Sequence, residues 1–337
     1  MRPIIIDLKG VELDAQEKEI LAHPLVAGVI LFTRNFVDIK QLKELVQQIR
    51  YHAKNDLLIS VDHEGGRVQR FRHGFTTLPA AGSLLQCHDL EKAQQLAFCS
   101  GSVMASELIA CDIDLSFAPV LDLNGISDVI KERAFSSDVN TTIKLAQAYI
   151  QGMQSVGMRA TGKHFPGHGS VKADSHVDFP VDKRSEEAIF TSDILPFQQL
   201  IKCASLAAVM PSHVVYAQCD PQPAGFSSYW LQTILRKQLN FKGVIISDDI
   251  SMKGASFAGN HVNRAEQAIA AGCDLVLACN DSDAAISILD NLDVTSGLKD
   301  DSVHKLAHIK NKCILPLNRD PSWIENSQKL RRFVEDV

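Results

Sequence analysis

Three short stretches carry residues whose types and spacing suit catalysis. The first, Ala160 to His176 (ATGKHFPGHGSVKADSH), gathers Lys163, His164, His168, Asp174 and His176 around turns at Pro166, Gly167 and Gly169. Turn glycines give the backbone freedom to aim side chains at one point, and such loops carry function more often than packing. Asp174 and His176 stand one residue apart, so in an extended segment they point the same way. The carboxylate can then orient the imidazole and raise its basicity, although an isolated histidine is more often structural.

The second stretch, Asp62-His63-Glu64-Gly65-Gly66-Arg67-Val68-Gln69-Arg70, places an acid, two glycines and two arginines in succession. Paired donors and acceptors of this kind suit sugar hydroxyls, with arginine able to hold an anion through two bonds; a salt-bridged turn explains the same residues. The third is Asp248-Asp249, directly after the apolar run GVIIS. One aspartate can cap the segment that follows while the other does chemistry, and the residues alone do not say which. Glu132-Arg133 adds a weaker pair.

These residues need a scaffold that brings them together. Short β-rich runs occur at Pro3–Asp7, Val26–Phe32, Leu57–Asp62, Leu115–Leu121, Arg159–His164, Ala207–His213, Gly243–Asp248 and Cys273–Asn280. Between them lie helical patterns at Ile39–His52, Glu91–Ile109, Thr142–Val156, Ala188–Ile201, Tyr229–Leu239 and Arg264–Ala271, with a last one at Asp283–Leu292. Eight strands alternating with helices predict an α/β fold, a single (β/α)8 TIM-type barrel. One catalytic barrel domain is expected over residues 1–337, with residues from about 296 to 337 as a polar C-terminal extension, either a helix laid over the barrel or a mobile end. The strands end on Asp7, Thr33-Arg34, Asp62, Asp122, Lys163-His164, His213, Asp248-Asp249 and Asn280. In such a barrel all eight ends emerge on one face, where the active site is built, so these groups are expected to converge on one mouth.

Composition excludes other classes. A formal net charge of −6 leaves no basic face for a phosphate backbone, so no nucleic-acid partner is expected. No apolar run has the roughly 18 residues of a membrane span, and the first apolar run is interrupted at Asp7 and Lys9, short of a signal-peptide core. A cytoplasmic protein with no membrane partner is expected. The eight cysteines lie far apart without a CxxC pair and read as buried, reduced thiols. The chain has no GxxxxGK[ST] or GxGxxG cradle for a nucleotide. His164, His168, His176 and Asp248 can be drawn as a zinc set but lack HExxH-type spacing. Lys163 at a strand end suits a Schiff base, a reading that leaves the Asp-His pair and the Asp62–Arg70 loop unexplained.

KHFPGHG followed by DSH, SVDHEGGRVQRF and GVIISDDISM, with LFTRN, SFAPVLD and AGCDLVL, together resemble the glycoside hydrolase family 3 β-N-acetylglucosaminidases, the bacterial cytosolic single-domain enzymes of peptidoglycan recycling. The likeness runs from about Asp7 to Asn280. It implies Asp248 as nucleophile, His176 as general acid/base partnered by Asp174, and Asp62, Arg70, Arg133, Lys163 and His164 as ligands of the N-acetylglucosamine unit. It also implies a retaining mechanism, no metal and no cofactor. The expected partner is a small muropeptide or amino-sugar substrate, acted on by a monomer. DHEGGR stands where the family pattern more often has DQEGGR, a swap at His63 that leaves Asp62 and Arg70 in place. Phosphorolysis at the same site, a sugar-sensing module without turnover and a metal-dependent hydrolase are the competing readings.

Overall fold

The strand pattern becomes a ring. A computed structural model describes residues 2–172, 180–293, 302–307 and 316–336 of the chain. The eight strands of the ring are β1 (Ile4–Asp7), β2 (Val26–Leu31), β3 (Leu58–Val61), β4 (Leu115–Ser116), β5 (Thr161–Phe165), β6 (Ala208–Pro211), β7 (Val244–Ile245) and β8 (Val276–Ala278). All pair in parallel: β8, β1, β2, β3 and β4 form one ladder, and β5, β6 and β7 a second. Parallel bridges between Val120 and Lys163 and between Ile246 and Leu275 join the ladders at their two seams. Strands buried on both faces read as continuous apolar runs rather than alternating ones, and VAGVIL and LISV are of this kind.

β4 and β7 are shorter than the sequence pattern suggests. Pro119 has no N–H for the ladder, so beyond Ser116 the run Leu115–Leu121 keeps only single contacts such as the Val120 bridge. Helices clothe the ring. Those at Ile39–His52, Leu90–Ile109, Val139–Ser155, His261–Ala271 and Ser282–Asn291 lie where 3.6-residue periodicity places them, with differences only at their ends. The pattern over Ala188–Ile201 resolves into two helices, Glu186–Phe190 and Ile194–Lys202, with Pro196 in the first turn of the second, where a missing N–H costs nothing. Tyr229–Gln238 is wound as a π-helix.

The C-terminal extension contains a helix, Pro321–Asp336, laid against Leu90–Ile109. Leu330 and Phe333 are buried, and Asn326 bonds to Cys99 and Ser102 of the longer helix. Of the seven described cysteines all are free thiols; Cys99, Cys111, Cys273 and Cys279 are buried as expected, but Cys203 is exposed and Cys87 and Cys219 are half-buried. No helix among the described residues is long and apolar enough to cross a membrane.

Candidate active site

At the C-terminal ends of the strands a cleft of about 230 Å³ is lined by Asp62, Glu64, Arg70, Arg133, Lys163, His164, Asp248, Asp249 and Asn280, with Phe32, Met210 and Met252 among its apolar walls. Six of the residues expected to do chemistry thus meet in one place. Asp174 and His176 lie outside the described residues.

β3 delivers Asp62, and the chain then folds into a small hairpin, His63–Gly65 against Val68–Gln69. Gly65 and Gly66 turn it at φ +114° and +54°, and a Cβ on Gly65 would come within 2.4 Å of the Pro79 carbonyl oxygen, so the turn requires glycine. The hairpin returns Arg70 to the cleft, where Nη2 lies 3.4 Å from Asp62 Oδ2. From β5, Lys163 Nζ reaches Asp62 Oδ1 at 2.8 Å and Glu64 Oε1 at 2.7 Å. Arg133, in the short helical turn Lys131–Arg133, donates to both oxygens of Glu64 at 2.8 Å. This fork-to-fork pairing fixes the plane of the guanidinium as well as its position.

Burial alone opposes ionisation of these acids, but the cations outweigh it. Lys163 and Arg70 hold Asp62 below the ordinary carboxylate range, and Arg133 and Lys163 hold Glu64 lower still. Burial likewise works against the Lys163 ammonium, and Asp62 with Glu64 overcomes it, so its pKa rises. Asp62, Glu64 and Lys163 are therefore all charged near neutrality.

His164 is aimed from below. Asp122, fully buried beyond β4, accepts from His164 Nδ1 at 2.6 Å and from the backbone N–H groups of His164 at 3.1 Å and His168 at 2.7 Å. Burial disfavours its charge, yet His164 and His168 keep its pKa below the usual value. The imidazole is thereby fixed with Nε2 as its remaining edge.

The Asp-Asp pair after β7 divides its work. Asp249 accepts from Ser251 N at 2.9 Å, Ser251 Oγ at 2.7 Å and Asn280 Nδ2 at 2.9 Å, which makes it the cap. Its own N–H donates to Asp248 Oδ1 at 2.8 Å. Asp248 is half-buried at the strand tip and lines the cleft.

The convergence of strand ends needs correction in three places. His213 is buried beneath the mouth, where Nε2 donates to the Asp249 carbonyl at 3.1 Å and the ring stacks on Phe226. Asp122 lies under His164. Asp7 and Arg34, paired with each other, line a neighbouring cavity with Asn280. His63, the position that departs from the family pattern, is fully buried and faces away, packed against Phe71 and Phe75 at ring separations of 5.5 and 5.6 Å. Glu64 is the residue that sequence reasoning missed. Its signal was its place two residues after Asp62, on the same side of an extended segment.

Comparison with known proteins bears on the family and the fold. The description "Glycosyl hydrolase family 3 N terminal domain" matches residues 5–309. A β-hexosaminidase of Psychromonas ingrahamii is 67% identical over 335 residues, covering 99% of each chain. The crystal structure of native NagZ from Neisseria gonorrhoeae superposes with a TM-score of 0.91 at 40% identity, over 98% of this chain and 97% of that one. The same protein in complex with N-trifluoroacetyl-D-glucosamine gives the same TM-score of 0.91, identity of 40% and coverage of 98% and 97%. With a TIM-type barrel, a mouth of paired charges and relatives matched along almost the whole chain, this protein belongs to glycosyl hydrolase family 3 and is a glycosidase.

Proposed function

We propose that the protein is a retaining exo-β-N-acetylglucosaminidase that removes terminal, non-reducing N-acetylglucosamine from peptidoglycan fragments, N-acetylglucosaminyl-1,6-anhydro-N-acetylmuramic acid with or without its peptide. The observation that carries this reading is Asp248, a carboxylate at a strand tip facing a cluster of fixed donors and acceptors. Relatives named β-hexosaminidase and a relative solved with an N-acylated glucosamine support the sugar class.

In this reading the charged pairs Lys163, Asp62, Arg70 and Arg133, with His164, bind the sugar hydroxyls. Asp248 attacks the anomeric carbon as the glycosidic bond breaks, and His176, partnered by Asp174, gives its proton to the leaving oxygen. The covalent glycosyl–Asp248 ester is then opened by water, whose proton returns to His176, and the anomeric configuration is retained. An imidazole with an ordinary pKa near 6.5, raised by a carboxylate, suits both proton transfers near neutral pH.

The test is hydrolysis of nitrophenyl β-N-acetylglucosaminide and of the matching β-glucoside, in phosphate-free buffer with EDTA, following the product anomer by proton NMR. Initial release of β-N-acetylglucosamine with the glucoside intact is expected; no turnover without phosphate, or an initial α product, overturns it. His176→Ala is expected to slow an alkyl glycoside far more than the nitrophenyl one, whose leaving group needs no proton. Equal losses on both would remove His176 from the acid/base role.

A further inference from the structure

Asn280 follows β8 on the rim, between the sugar cleft and the neighbouring cavity that holds Asp7 and Arg34. Its amide faces opposite partners on its two sides. Arg34 Nη1 donates to Asn280 Oδ1 at 3.2 Å, and Asn280 Nδ2 donates to Asp249 Oδ2 at 2.9 Å. Arginine can only donate and an ionised carboxylate can only accept, so both partners fix the orientation of the amide. The backbone N–H of Asn280 donates to Asp7 Oδ2 at 2.9 Å, and Arg34 is itself paired with Asp7. The residue sits at φ +65°, a left-handed conformation open to Gly, Asn and Asp and costly for most others. Conformation, donor and acceptor together leave Asn as the side chain that meets all three demands.

What this clamp holds is Asp249, whose N–H points at Asp248 Oδ1 at 2.8 Å and whose carbonyl is held by His213 at 3.1 Å. Resting on the glycosidase reading of Asp248 above, we infer that Asn280 is a positioning residue for the reaction: it ties the ends of β1, β2 and β8 to Asp249 and so fixes the direction from which Asp248 attacks. The reacting carboxylate gains a rigid seat from strands on the other side of the barrel seam, and small misplacements of a nucleophile are costly in rate.

The experiment is a double-mutant cycle on nitrophenyl β-N-acetylglucosaminide using Asn280→Gly, which keeps the left-handed backbone and deletes both amide bonds, with Asp249→Ala. Asn280→Gly is expected to lower kcat about tenfold while KM moves less than about twofold, as loss of alignment rather than of sugar contact. In the Asp249→Ala background the same change is expected to cost less than about twofold, because the residue through which Asn280 acts is gone. Asn280→Asp, which keeps the shape but turns an acceptor toward Asp249, is expected to fall at least as far as Asn280→Gly. Wild-type kcat in folded Asn280→Gly, a loss confined to KM, or losses that multiply across the cycle would each overturn the inference. Asp248→Ala, assayed in parallel, separates the two levels: full activity there sinks the nucleophile itself, whereas an inactive Asp248→Ala beside unaffected Asn280 variants sinks only the positioning role.

Discussion

The cleft's charges are stabilised as a set, and the set depends on Glu64. It accepts from Lys163 at 2.7 Å and twice from Arg133 at 2.8 Å, with its side chain 7% exposed. Removing one partner of a buried ion cluster costs more than the pairing gained, because the remaining charges stay desolvated. Glu64→Gln is accordingly expected to destabilise the fold by about 3 kcal/mol, read as a lower Tm, and to raise KM as Arg133 and Lys163 lose their seat. His63 makes the opposite case. Burial, with Arg72 and Arg70 nearby, pushes its pKa down to about 3, and neither ring nitrogen has a hydrogen-bond partner among the described residues. The unfolded chain takes up a proton below the ordinary value near 6.5 while the folded chain does not. Stability is thus undiminished by this residue above pH 6.5 and is lost progressively between 6.5 and 3, the loss reaching about 2 kcal/mol at pH 5. The fall in Tm between pH 7 and pH 5 is expected to be smaller in His63→Gln than in the native chain; identical pH profiles by differential scanning calorimetry would refute this.

Helix pairing obeys a constraint that single residues set. Gly101 in Leu90–Ile109 and Gly152 in Val139–Ser155 face each other's backbone, and an added Cβ would stand 2.0 Å from the Tyr149 carbonyl oxygen or 2.1 Å from that of Phe98. Neither neighbour is a side chain that can swing aside. Gly101→Ala is expected to part the two helices and cost about 1–3 kcal/mol or more, seen as an earlier urea midpoint at unchanged slope. The helix periods and the apolar strands were legible in the sequence because burial on one stripe or on both faces leaves a direct pattern. The helix Ala15–Leu21 escaped notice although Asp14 and Glu17 form its capping box, since seven residues give periodicity too little length. Asp62, Arg70, Arg133, Lys163, His164 and Asp248 were legible as motifs, whereas the Glu64 bridge was not. Its partners stand 69 and 99 positions away in the chain, and only the closed ring brings them together.

At the scale of the molecule, the last helix and the loop that carries Arg70 are mechanically linked. Trp323 Nε1 donates to Glu107 Oε1 at 3.2 Å, and the same buried carboxylate accepts from Thr76 Oγ1 at Oε1, 2.6 Å, and from Thr76 N at Oε2, 3.0 Å. Thr76 in turn accepts from Gln69, the neighbour of Arg70, through its carbonyl at 2.9 Å. Leu330, fully buried in the same helix, anchors it. Leu330→Ala is expected to cost about 2–5 kcal/mol and to raise KM more than it lowers kcat, as the Arg70 loop loosens; a lower Tm with unchanged KM would confine the helix to stability. The ring itself closes by pairing Ile4 with Val276, and Asn280 is bonded to Asp7 across 273 positions. On the ribosome, where the chain emerges from its amino end, β1 therefore waits with the edge that faces β8 unpaired until Val276–Ala278 have been made. Asp62, Lys163 and Asp248 are all synthesised before the strand that completes their barrel, so until β8 has emerged the nascent chain carries these groups without a closed cleft.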